Sequence, residues 1–107
     1  MILITGGIAS GRHTYAARLC AERGVALQDC AEIRRETLLL YRENAALCVE
    51  HLCRSAVVIA QETGCAPVPA DSEERELRGL NGSLTQELAM RAQSVFRMVC
   101  GIALQVK

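Results

Sequence analysis

Tryptophan is absent and aromatic residues make up only 3% of the 107-residue chain. The core must therefore be filled by Leu, Val, Ile, Ala and Met, which suits thin layers of helix on sheet. An excess of either charge is also lacking, since twelve basic residues face twelve acidic ones. No segment concentrates Lys or Arg as a nucleic-acid or anionic-membrane surface requires, so neither partner is expected. Zero net charge weakens the self-repulsion that keeps small proteins apart, and a homo-oligomer is expected.

No apolar run approaches the roughly 18 residues needed to span a bilayer. The opening MILIT turns straight into glycines and lacks the charged start, apolar stretch and cleavage site of a signal peptide, so a cytoplasmic location is expected. Six cysteines, at 20, 30, 48, 53, 65 and 100, include no C-x-x-C pair and no Cys/His set with zinc spacing. They lie in apolar periodic stretches, as reduced buried thiols do, and no structural metal is expected.

The length suits one domain, 1–107. Met1 to Thr5 is a short apolar run ending at glycines, the mark of a strand buried on both faces of a parallel sheet. Thr14 to Arg23 then reads as a helix stopped by Gly24. Val25 to Gln28 is expected as a second strand ending at Asp29, followed by about 25 residues of helical propensity. Within Glu43 to Arg54, the stripe of Ala45, Cys48, Val49, Leu52 and Cys53 predicts a helix packed on the sheet.

The run AVVIA, Ala56 to Ala60, belongs in the sheet interior beside the first strand. QETGCAPVP is its exit loop, after which Asp71 is expected to cap a helix with Glu74 reaching back. Leu77, Leu80, Leu84 and Leu88 mark that helix's inner face, though Gly79 and Gly82 weaken it. Val95 to Val99 and Ile102 to Val106 flank Cys100-Gly101 as a hairpin at the sheet edge. Alternation of Ile102, Leu104 and Val106 with Ala103, Gln105 and Lys107 predicts a half-exposed last strand.

Between the first strand and helix, GGIASGRHT matches the first six positions of G-x-x-x-x-G-K-[ST] through Gly6 and Gly11. Such loops turn successive backbone N–H groups onto phosphate oxygens, and the following helix N-terminus adds its dipole. Two side chains depart from the pattern. Arg12 stands in place of the phosphate-bridging lysine, keeping the charge in a wider planar fork. His13 stands in place of the magnesium-binding hydroxyl, and Thr14 is turned about 100° further round the helix, so Mg2+ is doubtful here. The bland alternative is a glycine turn that only joins strand to helix. Asp29 at a strand end and Glu62 after AVVIA are further candidates, each also readable as a turn or cap residue. His51 reads as a partly exposed filler.

Taken in order, these segments resemble the adenosylcobinamide kinase and adenosylcobinamide-phosphate guanylyltransferase family of cobalamin biosynthesis. ILITGGIASGRHTYAARL is similar to that family's strand, phosphate loop and helix, and VALQDC to its next strand with an acid before Cys. VVIAQETGCAPVP is similar to its strand followed by N-E-V-G-x-G-I-V-P, ELRGLNGSLTQELA to its F-R-D-x-x-G-x-x-N-Q-x-L-A helix, and VCGIALQVK to its closing V-x-G-I-x-x-x-x-K.

The resemblance implies a mostly parallel P-loop-type α/β sheet flanked by helices, with an antiparallel C-terminal edge strand, assembled into oligomers. It places Gly6, Gly7, Ser10, Gly11, Arg12, His13 and Thr14 around the phosphates of GTP or ATP, with Asp29 as the strand-end acid and Glu62 lining the cleft. Arg12 and Asp29 are the catalytic candidates, and a corrinoid is the implied second partner.

The family's several dozen residues between the first helix and Val25 are represented here by Arg23 and Gly24 alone. That segment carries the family's nucleophilic histidine, and neither His13 nor His51 matches its place, which argues against guanylyl transfer. Further departures are Gln61 for Asn, Thr63 for Val, Ala66-Pro67 for Gly-Ile, and Thr85 for Asn beside Gln86. Three expectations follow: a shortened corrinoid kinase, a binding or regulatory module without turnover, and an assembly subunit pairing through its edge strand.

Overall fold

The computed structural model describes residues 1–63 and 69–107. The expected loop residues Gly64 to Val68, with Cys65 and Ala66-Pro67, lie outside them. At the centre, β1 (Ile2–Gly6) is buried along its whole length. It pairs in parallel with β3 (Val57–Ile59) on one side and β4 (Ser94–Val99) on the other. β2 (Cys30–Glu32) lies outside β3, and β5 (Ile102–Gln105) runs antiparallel to β4. The order β2-β3-β1-β4-β5 makes a five-stranded, mostly parallel sheet with one antiparallel edge, as expected.

Side-chain alternation in β1 sends residues to opposite faces. Ile2 and Ile4 pack with Ala16, Leu19 and Cys20 of α1 (Arg12–Arg23). Leu3 packs on the other face with α2 (Arg35–Glu43), α3 (Ala45–Cys53) and α4 (Ser72–Arg91). Burying each of these aliphatic side chains stabilises the fold by about 1.5–3 kcal/mol. α1 ends where expected, with Gly24 left-handed at φ 66° and its N–H on the carbonyls of Cys20 and Ala21.

The helical stretch after β2 divides at Asn44, whose side chain caps α3 by accepting from Leu47 N. Cys48, Val49 and Leu52 of the predicted stripe are buried, whereas Ala45 is exposed. α4 runs unbroken through Gly79 and Gly82 because Leu77, Leu84 and Leu88 anchor its other side. Asp71 caps it by accepting from Glu73 N and Glu74 N. Glu74 itself does not reach back; its carboxylate takes a 2.7 Å bond from Arg35 and ties α4 to α2.

Two expectations are corrected. Val25 to Gln28 is not a strand: Leu27–Asp29 forms a 3-10 turn, and β2 begins only at Cys30. The Asp29 carbonyl accepts from Ala56 N, level with the start of β3, so Asp29 sits at the amino edge of the sheet. β5 is more exposed than the half-exposed strand expected. Ala103 alone packs inward, while Ile102, Leu104 and Val106 are 64%, 50% and 67% exposed and Gln105 and Lys107 are exposed as well. The β4–β5 turn at Cys100-Gly101 has φ of 50° and 78°, the positive pair that a two-residue hairpin requires.

Candidate functional site

The carboxyl ends of β1 and β3 and the start of α1 meet at the centre of the sheet, where α/β folds of this kind present their ligand groups. Leaving β1, the chain turns at Gly6 with φ 154°. A Cβ there would meet Ser10 Oγ at 2.6 Å and Met98 O at 2.9 Å, so only glycine fits. Ala9 takes the left-handed region at φ 57° and Gly11 follows at φ 96°. The loop is held from two sides. Glu62 N donates to Gly6 O at 2.8 Å, and Gly101 N donates to Ser10 O at 2.9 Å.

Inside this frame Ser10 N closes a turn on Gly7 O at 3.3 Å. Among the described residues, the amides of Ile8, Ala9, Gly11 and Arg12 find no acceptor. Ser10 Oγ is buried without a hydrogen-bond partner. Arg12 opens α1 and is only 7% exposed, yet no ion pair or hydrogen bond reaches its guanidinium among the described residues. Among the described residues, free amides, a buried unpartnered hydroxyl and an unpaired arginine thus share one loop, the donor set that anion-binding loops use.

The edge of this loop carries two acids. On the β2 side, Glu32 ends the strand and meets His13, with Oε1 3.0 Å from His13 Nε2. Its other oxygen accepts from Arg34 Nη2 at 3.2 Å. Burial works to raise the Glu32 pKa, but hydrogen bonds from Arg34 and His13 outweigh it and hold the carboxyl below its ordinary value. Beyond β3, Glu62 is gripped by Arg97 through Nε at 3.0 Å and Nη2 at 3.2 Å, and it lies 3.5 Å from Thr5 Oγ1.

Gly6, Gly7, Ser10, Gly11, Arg12 and His13 share the loop and the start of α1, and Glu62 is bonded to that loop through Gly6 O. Thr14 is exposed and lines a groove of about 210 Å³ with Gly11, Tyr15, Arg18 and Gly101, on the β4–β5 side of the loop. Asp29 is the main displacement. Three residues of strand, about 10 Å, separate it from the carboxyl edge, and Glu32 occupies the strand-end place instead. Sequence reasoning missed Glu32 because nothing local marks Cys30-Ala31-Glu32 as a strand. A cavity of about 580 Å³ opens beside Glu62, lined by Thr5, Gln61, Asn81, Gly82 and Thr85. Asn81 holds its rim by donating to Gln61 O at 2.9 Å, and Thr85 Oγ1 is buried there without a partner among the described residues.

A family model described as cobinamide kinase / cobinamide phosphate guanyltransferase matches residues 24–106. The chain belongs to this family. Membership makes it a cobinamide kinase/guanyltransferase-like protein of cobalamin biosynthesis, with the α/β sheet that the resemblance implied. No curated protein matches the chain. The family match begins at Gly24, so the glycine loop stands on its own geometry. Among the described residues, no helix is long and apolar enough to cross a membrane.

Proposed function

We propose that this family member binds a nucleoside triphosphate, GTP or ATP, on the Gly6–Arg12 loop and serves the kinase side of the family's chemistry without guanylyl transfer. The observation that carries the reading is Arg12, a largely covered side chain that no ion pair or hydrogen bond reaches among the described residues, beside free loop amides and the buried, unpartnered Ser10 Oγ. A phosphate would supply the missing counter-charge, and the fork of Arg12 suits two of its oxygens. Positioning and electrostatics dominate phosphoryl transfer, so an arginine in place of lysine keeps the main requirement. The cavity beside Glu62 lies next to the loop and suits the second reactant, a corrinoid alcohol, with Thr85 Oγ1 as a polar contact. Neither histidine is a free nucleophile over the loop: His13 is engaged by Glu32, and His51 lies on α3.

Calorimetric titration with GTP and ATP tests the reading. Binding that is lost in Arg12→Ala supports it, and transfer to adenosylcobinamide measured in parallel separates a kinase from a binding module. Flat traces with both nucleotides overturn it.

A second reading concerns assembly. β5 is the free edge of the sheet, and Ile102, Leu104 and Val106 are exposed on it. An antiparallel two-fold pairing centred on Leu104 sets Ile102 against Val106 and Leu104 against itself, so the edge is complementary to a second copy of this chain. Light scattering that gives the monomer mass at micromolar concentration overturns this reading, and a dimer broken by Leu104→Lys supports it.

A further inference from the structure

Phosphate loops of this type usually work with a magnesium ion, held by a hydroxyl just after the loop and by a carboxylate at a nearby strand end. The residues present here do not fit that ion. His13 replaces the hydroxyl with a nitrogen, which a hard cation takes poorly. Thr14, the next hydroxyl, lies in a groove with Gly11 and Gly101 on the β4–β5 side of the loop, whereas Glu32 meets His13 on its β2 side. The carboxylates are also engaged. Glu32 has one oxygen on His13 Nε2 and the other on Arg34, and the Arg97 fork spans both oxygens of Glu62. Among the described residues, no cluster of three or more Asp, Glu, His or Cys side chains could hold a metal.

Part of the charge that the ion would bring is already in the chain. Arg12 opens α1 with no ion pair among the described residues, and Arg34 neutralises Glu32 beside His13, so the carboxylate adds no uncompensated negative charge to the corner. The charge of Arg12 and the four amides without an acceptor among the described residues can compensate an anion without a cation. A cation entering this corner would have to displace Arg34 or His13 from Glu32.

We infer that the loop binds its phosphate ligand as the metal-free anion, with His13 and Arg34 closing Glu32 in the corner where a divalent ion would sit. The ligand class is a free organic polyphosphate, the nucleotide without its cation. This rests on the nucleotide reading above and adds the form in which the nucleotide is recognised. Mg2+ then competes with the protein for the phosphates instead of bridging them.

The test is calorimetry of the whole chain with GTP and ATP, in EDTA and again with excess Mg2+. The expected result is binding in EDTA that is unchanged or weakened by Mg2+. Binding that tightens by about tenfold or more with Mg2+ overturns the inference and leaves nucleotide binding standing. No binding in either buffer overturns the nucleotide reading, and this inference with it. A second measurement uses His13→Ser with Arg34→Gln, two exposed positions, with folding checked by circular dichroism. Freeing Glu32 and restoring the hydroxyl is expected to create nucleotide-dependent Mn2+ binding, read by paramagnetic resonance, that the unaltered chain lacks. Equal Mn2+ binding by both proteins counts against the inference.

Discussion

The N–H of Gly101 bonds to the carbonyl of Ser10 at 2.9 Å, so the β4–β5 turn is fastened to the glycine loop after β1. The two elements come so close that a Cβ on Gly11 would lie 3.2 Å from Gly101 Cα. Gly11 also has φ 96°, which disfavours any side chain. Gly11→Ala is expected to cost about 1–3 kcal/mol in urea melts and to weaken nucleotide binding by moving the turn. A variant as stable and as tight-binding as the parent would show that the clamp does not set the loop.

Gly6 and Gly7 separate the two uses of glycine in this loop. A Cβ at Gly6 would strike Met98 O at 2.9 Å, and backbone cannot yield cheaply, whereas a Cβ at Gly7 meets nothing within 4 Å. Gly6→Ala should therefore lose about 2 kcal/mol or more of stability. Gly7→Ala should keep its melting temperature, and any loss there should appear only in ligand affinity. Equal destabilisation by the two substitutions would contradict the geometry.

Arg12 sets stability against function. Its side chain is largely covered and has no partner among the described residues, so an apolar side chain of similar length gives up no ion pair there. Arg12→Met is expected to stay within about 1 kcal/mol of the parent in stability while losing roughly tenfold or more in nucleotide affinity. A marked drop in stability would mean that the guanidinium is satisfied within the fold.

Much of this architecture is legible in the sequence because its signals are local. ILITG and AVVIA declare buried strands by composition, Cys100-Gly101 marks the hairpin after Val95 to Val99, and Gly24 and Asp71 mark helix ends through backbone chemistry specific to them. β2 is not legible. Its three residues, Cys-Ala-Glu, are poor strand formers recruited by pairing with Val57 to Ile59, while the more apolar Val25 to Leu27 lies outside the sheet. That shift moves the site acid from Asp29 to Glu32. The burial of Arg12, and the bonds that engage Glu32 and Glu62, depend on contacts between distant segments that no spacing rule encodes.

Glu32 gives the fold a pH signature. Although burial opposes its ionisation, hydrogen bonds from Arg34 and His13 hold its pKa below the ordinary 4.5. A carboxyl depressed in the folded state binds its proton more weakly than in the unfolded chain. Its stabilisation is therefore complete above that ordinary value and is lost as pH falls through the folded one. Glu32→Gln should be less stable than the parent above pH 4.5, and the margin should shrink as pH falls below that value. A margin as large at pH 3 as at pH 7 would assign the loss to packing instead of charge.

Cys20 and Cys30 bring their sulfur atoms to 2.8 Å, joining the end of α1 to the start of β2. Burial pushes the Cys30 thiol up to about 11, and the neighbouring Cys20 sulfur and the Asp29 carboxylate push the same way. At about pH 8 only about one Cys30 in a thousand is thiolate, the form that attacks alkylating reagents. Cys100 is exposed in the β4–β5 turn. Iodoacetamide at that pH should therefore modify Cys100 well before Cys30, with buried Cys20 also slow, and peptide mass mapping over a time course reads the order. Raising the pH toward 10 should speed Cys30 about tenfold per unit while the fold holds, because the thiolate fraction rises in that proportion. Cys30 labelled as fast as Cys100 at pH 8 would mean that the α1–β2 junction opens to solvent far more readily than its packing implies.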